Sequence, residues 1–152
     1  MTTTTTRTWT IAIPAPIRMK SANEREHHMV VAKDRRAWRE TAYGWTALAK
    51  LPRGLRRIHV DVELRFTSAG RRDAHNYYSA VVKPCIDALT PEKRVKTKTG
   101  YRVERGWGVI PDDTAEYLDL SAPRIGPVVP KGAHPYGLVV LTVTDLTETE
   151  QP

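Results

Sequence analysis

A chain of 152 residues with 40% hydrophobic side chains is long enough for one domain with a buried core, and it holds no apolar run of the roughly 18 to 20 residues needed to span a bilayer. A single cysteine, Cys85, excludes an internal disulfide and suits a reducing, cytoplasmic setting. Lysine and arginine number 24 against 17 acids, a formal charge of +7, which favours polyanions, nucleic acid being the commonest.

The opening MTTTTTRTWTIAIPAP has no signal-type apolar stretch, and residues 1–7 read as a disordered tail. Residues 8–13, TWTIAI, alternate polar and apolar and predict a strand, closed by Pro14 and Pro16. Residues 17–33 lack a clear period and read as loop, with a short strand over 28–32, HMVVA. Asp34 is placed to cap a helix from Arg35 to about Lys50. Ala37, Trp38, Ala42, Trp45, Leu48 and Ala49 give that helix an apolar side. Leu51-Pro52-Arg53-Gly54 stops it and turns the chain. Residues 58–66, IHVDVELRF, alternate strictly and form the clearest strand.

After a loop over 67–72 comes DAHNYYSAVVKPCIDAL. Residues 81–89 read as helical. Proline deep inside a helix costs about 3 kcal/mol, so Pro84 places the helix start near Val82, where its missing N–H has no helical partner. Residues 76–80 then read as loop or a separate turn. A basic loop follows over 91–107, with Lys93, Arg94, Lys96, Lys98, Arg102 and Arg105 against Glu92 and Glu104. It is either a solvated surface or a phosphate-contacting one. Residues 115–120 predict a short strand beside Asp112-Asp113, residues 122–135 a proline-rich loop, and residues 137–146 the last strand. This order argues an α+β fold rather than alternating βαβ units. The expectation is one small domain over residues 8–146, a mixed sheet packed by two main helices, with a tail over 147–152.

Four acids flank the second helix: Asp73, Asp87, Asp112 and Asp113. Mg2+ prefers oxygen ligands and is commonly held by one or two carboxylates, waters and substrate phosphate. Phosphodiester cleavage uses such ions to generate hydroxide and to stabilise charge on the attacking and leaving oxygens. Two readings stay open. The acids converge on a metal, or Asp87 pairs with Lys83 four residues away while Asp112 and Asp113 are ordinary turn residues.

The ordered set RRDAHN, then K-x-x-x-D-A-L, then GVIPDD resembles the RusA-type Holliday-junction endodeoxyribonucleases, over about residues 8–143. Proteins of that family are often encoded by phages and prophages. The resemblance implies a homodimer in a bacterial cytoplasm that binds four-way DNA junctions and nicks two opposing strands with Mg2+ or Mn2+, in recombination and repair. By position it implies catalytic roles for Asp73, His75, Lys83 and Asp113, and a metal shell drawn from Asp73, His75, Asp87, Asp112 and Asp113. Arg71, Arg72, Asn76 and the six cations of the basic loop are the expected DNA contacts. Two departures stand out. His75 replaces the family's second motif aspartate, and about four extra residues separate Asn76 from Lys83. His75 either ligates the ion, touches the scissile phosphate or moves a proton, or is a spectator. The alternative function is a basic junction-binding module without catalysis.

Other groupings carry less. Glu24, Glu26, His27 and His28 mix acids and imidazoles, but adjacent histidines diverge on a regular element. His134 reads as structural or exposed. Cys85 reads as a buried small hydrophobe. Trp38 and Trp45 suit a core, whereas Tyr101 and Trp107 beside the basic loop suit base stacking.

Overall fold

The structure, a computed structural model, describes residues 6–147. In chain order the elements are β1 (Thr8–Pro14), α1 (His28–Leu48), β2 (Ile58–Arg65), a 3-10 turn (Ala74–Tyr77), a π turn (Tyr78–Val82), α2 (Lys83–Asp87), β3 (Pro91–Thr97), β4 (Gly100–Trp107), β5 (Leu118–Leu120), β6 (Arg124–Ile125) and β7 (Leu138–Asp145). The fold is α+β, as the strand and helix order predicts.

Period-two alternation builds the main sheet, in the order β1-β7-β2-β5 with β6 also on β2. β7 runs antiparallel to β1 and β2, while β5 and β6 run parallel to β2. Register aligns Ile11, Leu141 and Val62 in one row across three strands. On β2, Ile58, Val60, Val62 and Leu64 are wholly buried. They face the helices' side of the core, joined there by Trp38, Val81, Val82, Ile86 and Leu89. The opposite face of β2 departs from simple polar-out alternation, because Glu63 is buried as well. No helix among the described residues is long and apolar enough to cross a membrane.

α1 begins at His28, not Arg35, and the segment 28–32 expected as a strand is its first turn. A short apolar run has no period of its own to tell strand from helix; here it continues the helical spacing that leads to Trp38, Ala42 and Thr46. His27, rather than Asp34, is the cap, its Nδ1 accepting from the Met29 N–H at 3.2 Å. Asp34 instead takes an ion pair from Lys20 at 2.7 Å. Trp45 and Leu48, expected on the apolar side, are exposed. Buried Thr46 takes an inward place and satisfies its hydroxyl on the Ala42 carbonyl at 2.7 Å.

The expected basic loop over 91–107 is a β-hairpin. β3 and β4 pair antiparallel, Val95 opposite Arg102 and Thr97 opposite Gly100, around a Lys98-Thr99 turn. Its base is pressed onto the end of α2. Trp107 N–H reaches the Ala88 carbonyl (2.8 Å) and Val109 N–H the Leu89 carbonyl (2.8 Å). A Cβ at Gly106 would run into the Thr90 carbonyl, so glycine is required by this approach. Both predicted tails lie largely outside the described residues. Within them, Arg7 pairs with Asp145 at 2.8 Å, and the Thr147 N–H bonds Asp145 at 2.9 Å.

Candidate active site

The acid-rich segment is one continuous helical run whose pitch changes twice. Asp73 opens it, its Oδ1 accepting from the His75 N–H at 3.1 Å, and the 3-10 turn follows. Pro84 has no N–H with which to complete an α-helical bond to residue 80. The chain therefore widens before it, and the Lys83 N–H reaches back to the Tyr78 carbonyl, one residue beyond the α-helical partner. This π turn occupies the stretch between Asn76 and Lys83. Segment 76–80, expected as loop or a separate turn, lies in these two turns, and α2 starts at Lys83, beside the expected Val82.

Lys83 is the centre of the site. Its Nζ donates to Asp87 Oδ1 at 2.7 Å and, more closely still, to Asp113 Oδ2. Asp112 completes the group: its Oδ1 accepts the Asp113 N–H at 2.8 Å. The side chains are partly open, Lys83 38% exposed and Asp113 27%. Burial pushes the Lys83 ammonium down, but its bonds to Asp113 and Asp87 outweigh this and hold it above the usual lysine range. The Lys83 bond, against some burial, holds the Asp113 carboxyl below the usual range. Asp113 is therefore an anion at neutral pH.

Lys83, Asp87 and Asp113 are thus brought together, the Lys83–Asp87 helix pair coexisting with the Asp113 contact, and Asp112 adjoins only as the chain neighbour of Asp113. Asp73 and His75, both exposed at the head of the run, make no hydrogen bond or ion pair with this group among the described residues. No three ligating side chains among the described residues converge in the way the expected five-donor shell requires.

The expected DNA contacts divide by what already occupies them. Arg71 is exposed, and so are Lys93, Lys96 and Lys98 on the hairpin, without ion pairs among the described residues. Arg94 stacks over Tyr101 at 4.4 Å. Arg72 is spent locally, its guanidinium over the Phe66 ring at 4.1 Å and its Nη1 on the Ser68 carbonyl at 2.9 Å. Asn76 is half-buried, and its carbonyl accepts the Ala22 N–H at 2.7 Å. Arg102 bonds Glu104 at 3.0 Å, and Arg105 lies 3.9 Å from Glu40. Trp107, expected as a stacking residue, has Arg53 over its ring at 3.6 Å and its indole N–H on the Leu51 carbonyl at 2.6 Å.

A cleft of about 530 Å³ opens beside the Lys83 group, between α1, the π turn and β4. Lys83 and Asp87 line it, so the acid group and the cleft share a wall. Arg35, Arg36 and Arg39 of α1 line the other side. Sequence reasoning missed these three, because a helix begun at Arg35 places them in an unremarkable charged start, within its first two turns. The signal was present as Arg35 and Arg39 spaced four apart, one helical face, with Arg36 next to the first.

Three other groupings resolve into structural roles. Cys85 is buried, and burial raises its thiol pKa far above the range of a nucleophile. Glu24 pairs with Arg18 at 2.6 Å, and the His27 and His28 rings lie against each other at 4.2 Å. His59, which sequence reasoning did not single out, has Nδ1 2.8 Å from Asp119 and Nε2 3.1 Å from Ser121 Oγ. That order mimics a hydrolase triad. The Ser121 N–H, however, is already bonded to the Val60 carbonyl at 3.0 Å, so it supplies no oxyanion donor, and the trio ties β5 to β2.

Compared with known proteins, the chain matches no family model and no curated protein.

Proposed function

We propose that this chain is a metal-dependent, structure-selective endodeoxyribonuclease of the RusA type. It nicks opposing strands of four-way DNA junctions as a homodimer, in a bacterial cytoplasm, and is encoded by a phage or prophage. The observation that carries the reading is the Lys83 ammonium shared by Asp87 and Asp113, with Asp112 adjoining, at the wall of a cationic cleft.

The donor chemistry suits Mg2+ or Mn2+ in the minimal form. Asp112 and Asp113 offer hard carboxylate oxygens, and a site with one or two carboxylates leaves its other positions to water and substrate phosphate. When bound there, the ion would supply an activated water and stabilise charge on the reacting oxygens. Asp113, kept ionised by Lys83, would hold it together with Asp112, and Asp87 lies close by through Lys83. Lys83 has a role of its own. Lys83 lines the cleft, and its ammonium would offset negative charge as that charge grows on the phosphoryl oxygens. A two-fold dimer would match the two-fold symmetry of the junction and permit paired cuts.

One observation favours the second reading, a binding module without catalysis. Lys83 already satisfies both Asp87 and Asp113, leaving a self-contained ion network. A labelled four-way junction incubated with Mg2+, Mn2+ or EDTA separates the two. Nicks in either ion and none in EDTA support the nuclease. Salt-sensitive binding with no nick under any ion overturns it.

A further inference from the structure

Arg39 is an arginine that folding has placed and not finished. It is buried, 6% exposed, and two of its three nitrogens are committed. Nε donates to the Arg105 carbonyl at 2.6 Å and Nη1 to Glu104 Oε2 at 3.4 Å. Nη2 is buried with no partner among the described residues. Glu104 also holds Arg102, whose Nη2 donates to its other oxygen at 3.0 Å. The Arg102 Nε is likewise buried and unpartnered. One carboxylate thus fixes two guanidiniums on the same cleft wall and leaves an N–H of each unsatisfied. Buried polar groups nearly always find partners, and a charged donor without one is costly.

The rest of the wall has the same sign. Arg35 and Arg36 are exposed at the cleft and have no ion pair among the described residues. Ser79 adds a hydroxyl donor. Asp87 and Glu104 are the lining carboxylates, and each is already engaged by a cation. A carboxylate or phosphate matches planar guanidinium donors in pairs. The cleft's volume falls in the range of small-ligand sites, about 300 to 1,000 Å³, which exceeds the needs of a bare ion. It also opens onto Lys83.

We propose that this cleft seats a backbone phosphate of a nucleic-acid strand, with Arg39 as the rigid donor held by Glu104, Arg102 beside it, and Arg35 and Arg36 at the rim. The identity of the polyanion rests on the reading of the chain as a DNA-acting protein; the seat itself stands on the geometry of Arg39. Placed one wall from Lys83, the seat would fix the strand next to the phosphate being cut, a contact that positions without reading sequence.

The test is strand binding in EDTA, where cutting does not intervene, so its outcome is independent of the nuclease reading. Affinity of a fluorescent single-stranded oligonucleotide is measured across salt for wild type, Arg39→Met, Arg36→Gln and Lys131→Gln, the last an exposed cation away from the cleft. Arg39→Met and Arg36→Gln should each weaken binding about fivefold or more, and each should reduce the salt slope by about 0.7, one phosphate contact on a single strand. Lys131→Gln should stay within about twofold. Equal losses for all three variants would mean diffuse charge and overturn the seat. Because Arg36 is exposed, its variant keeps the test valid if Arg39→Met folds poorly. Competition by inorganic phosphate at the concentration that suffices for the oligonucleotide would assign a free-anion site and overturn the strand proposal. Competition by oligonucleotide at far lower concentration supports it.

Discussion

Two ion clusters of this molecule use the same chemical parts to opposite ends. On the outer face of β2, Glu63 is held by Arg65 at 2.5 Å and, more closely, by Arg124, and Gly126 lies where any Cβ would meet the Glu63 side chain. Two cations enclose one buried acid, so the carboxylate is fully paired. Around Lys83 the ratio is reversed: one ammonium serves Asp87 and Asp113, with Asp112 attached, all partly open to solvent. The first cluster closes a sheet edge. The second holds three acids around one ammonium next to a cationic cleft, an excess of negative charge that, on the proposed reading, a divalent cation would offset.

If the difference is functional, perturbing the two clusters should move different readouts. Lys83→Met should lower the nicking rate by about 10²-fold and leave junction affinity within a few-fold, measured by single-turnover cleavage and anisotropy on the same preparation. A loss of affinity that accounts for the whole rate change would make Lys83 a binding residue. Glu63→Gln should do the reverse. Weakening the bonds to Arg65 and Arg124 should cost about 1–3 kcal/mol, or a melting temperature lower by several degrees for a chain of this size, with the nicking rate per folded molecule unchanged.

Acid titration sharpens the contrast with a smaller effect. Burial pushes the Glu63 carboxyl up, but Arg65 and Arg124 outweigh it and hold its pKa below the usual range. A folded-state pKa below the unfolded one contributes stability above the unfolded value and loses it as pH falls through the folded value. The Glu63 contribution should therefore fade below about pH 4 and be absent from the Glu63→Gln variant, whose acid limb should be flatter. Lys83, with its pKa raised, behaves oppositely. Its contribution is complete below about pH 10 and is lost as pH rises through the higher folded value. Thermal melts across pH should show Glu63→Gln altering the acid limb alone, and Lys83→Met altering the alkaline limb and, through the released Asp113 carboxyl, the acid limb as well.

The comparison also shows what the sequence made legible. β2 and β7 were readable because apolar residues at every second place face one packed layer. The Lys83–Asp87 pair was readable from helical spacing, and Pro84 correctly marked the start of α2. The hairpin was hidden by charge. Val95, Thr97, Thr99, Tyr101 and Val103 do alternate, but lysines and arginines between them look like a solvated loop when neither face enters the main core. The Lys83–Asp113 contact bridges 30 residues and depends on the hairpin returning the chain to the end of α2. Asp73 and His75 illustrate the opposite hazard: a motif resemblance assigns them to the site, yet among the described residues neither makes a hydrogen bond or ion pair with the Lys83 group. The Glu63 cluster was invisible for a simpler reason, since Arg124 joins β2 only through the parallel pairing of β6.

The central claim is that Asp113 belongs to a cleavage site and not to a structural ion network. It is tested most directly by the nicking rate of Asp113→Asn on a labelled four-way junction in saturating Mg2+ and Mn2+, beside wild type and Glu63→Gln. The account predicts metal-dependent nicking by wild type and Glu63→Gln, with none by Asp113→Asn although it still binds the junction. Cutting by Asp113→Asn at the wild-type rate would contradict it.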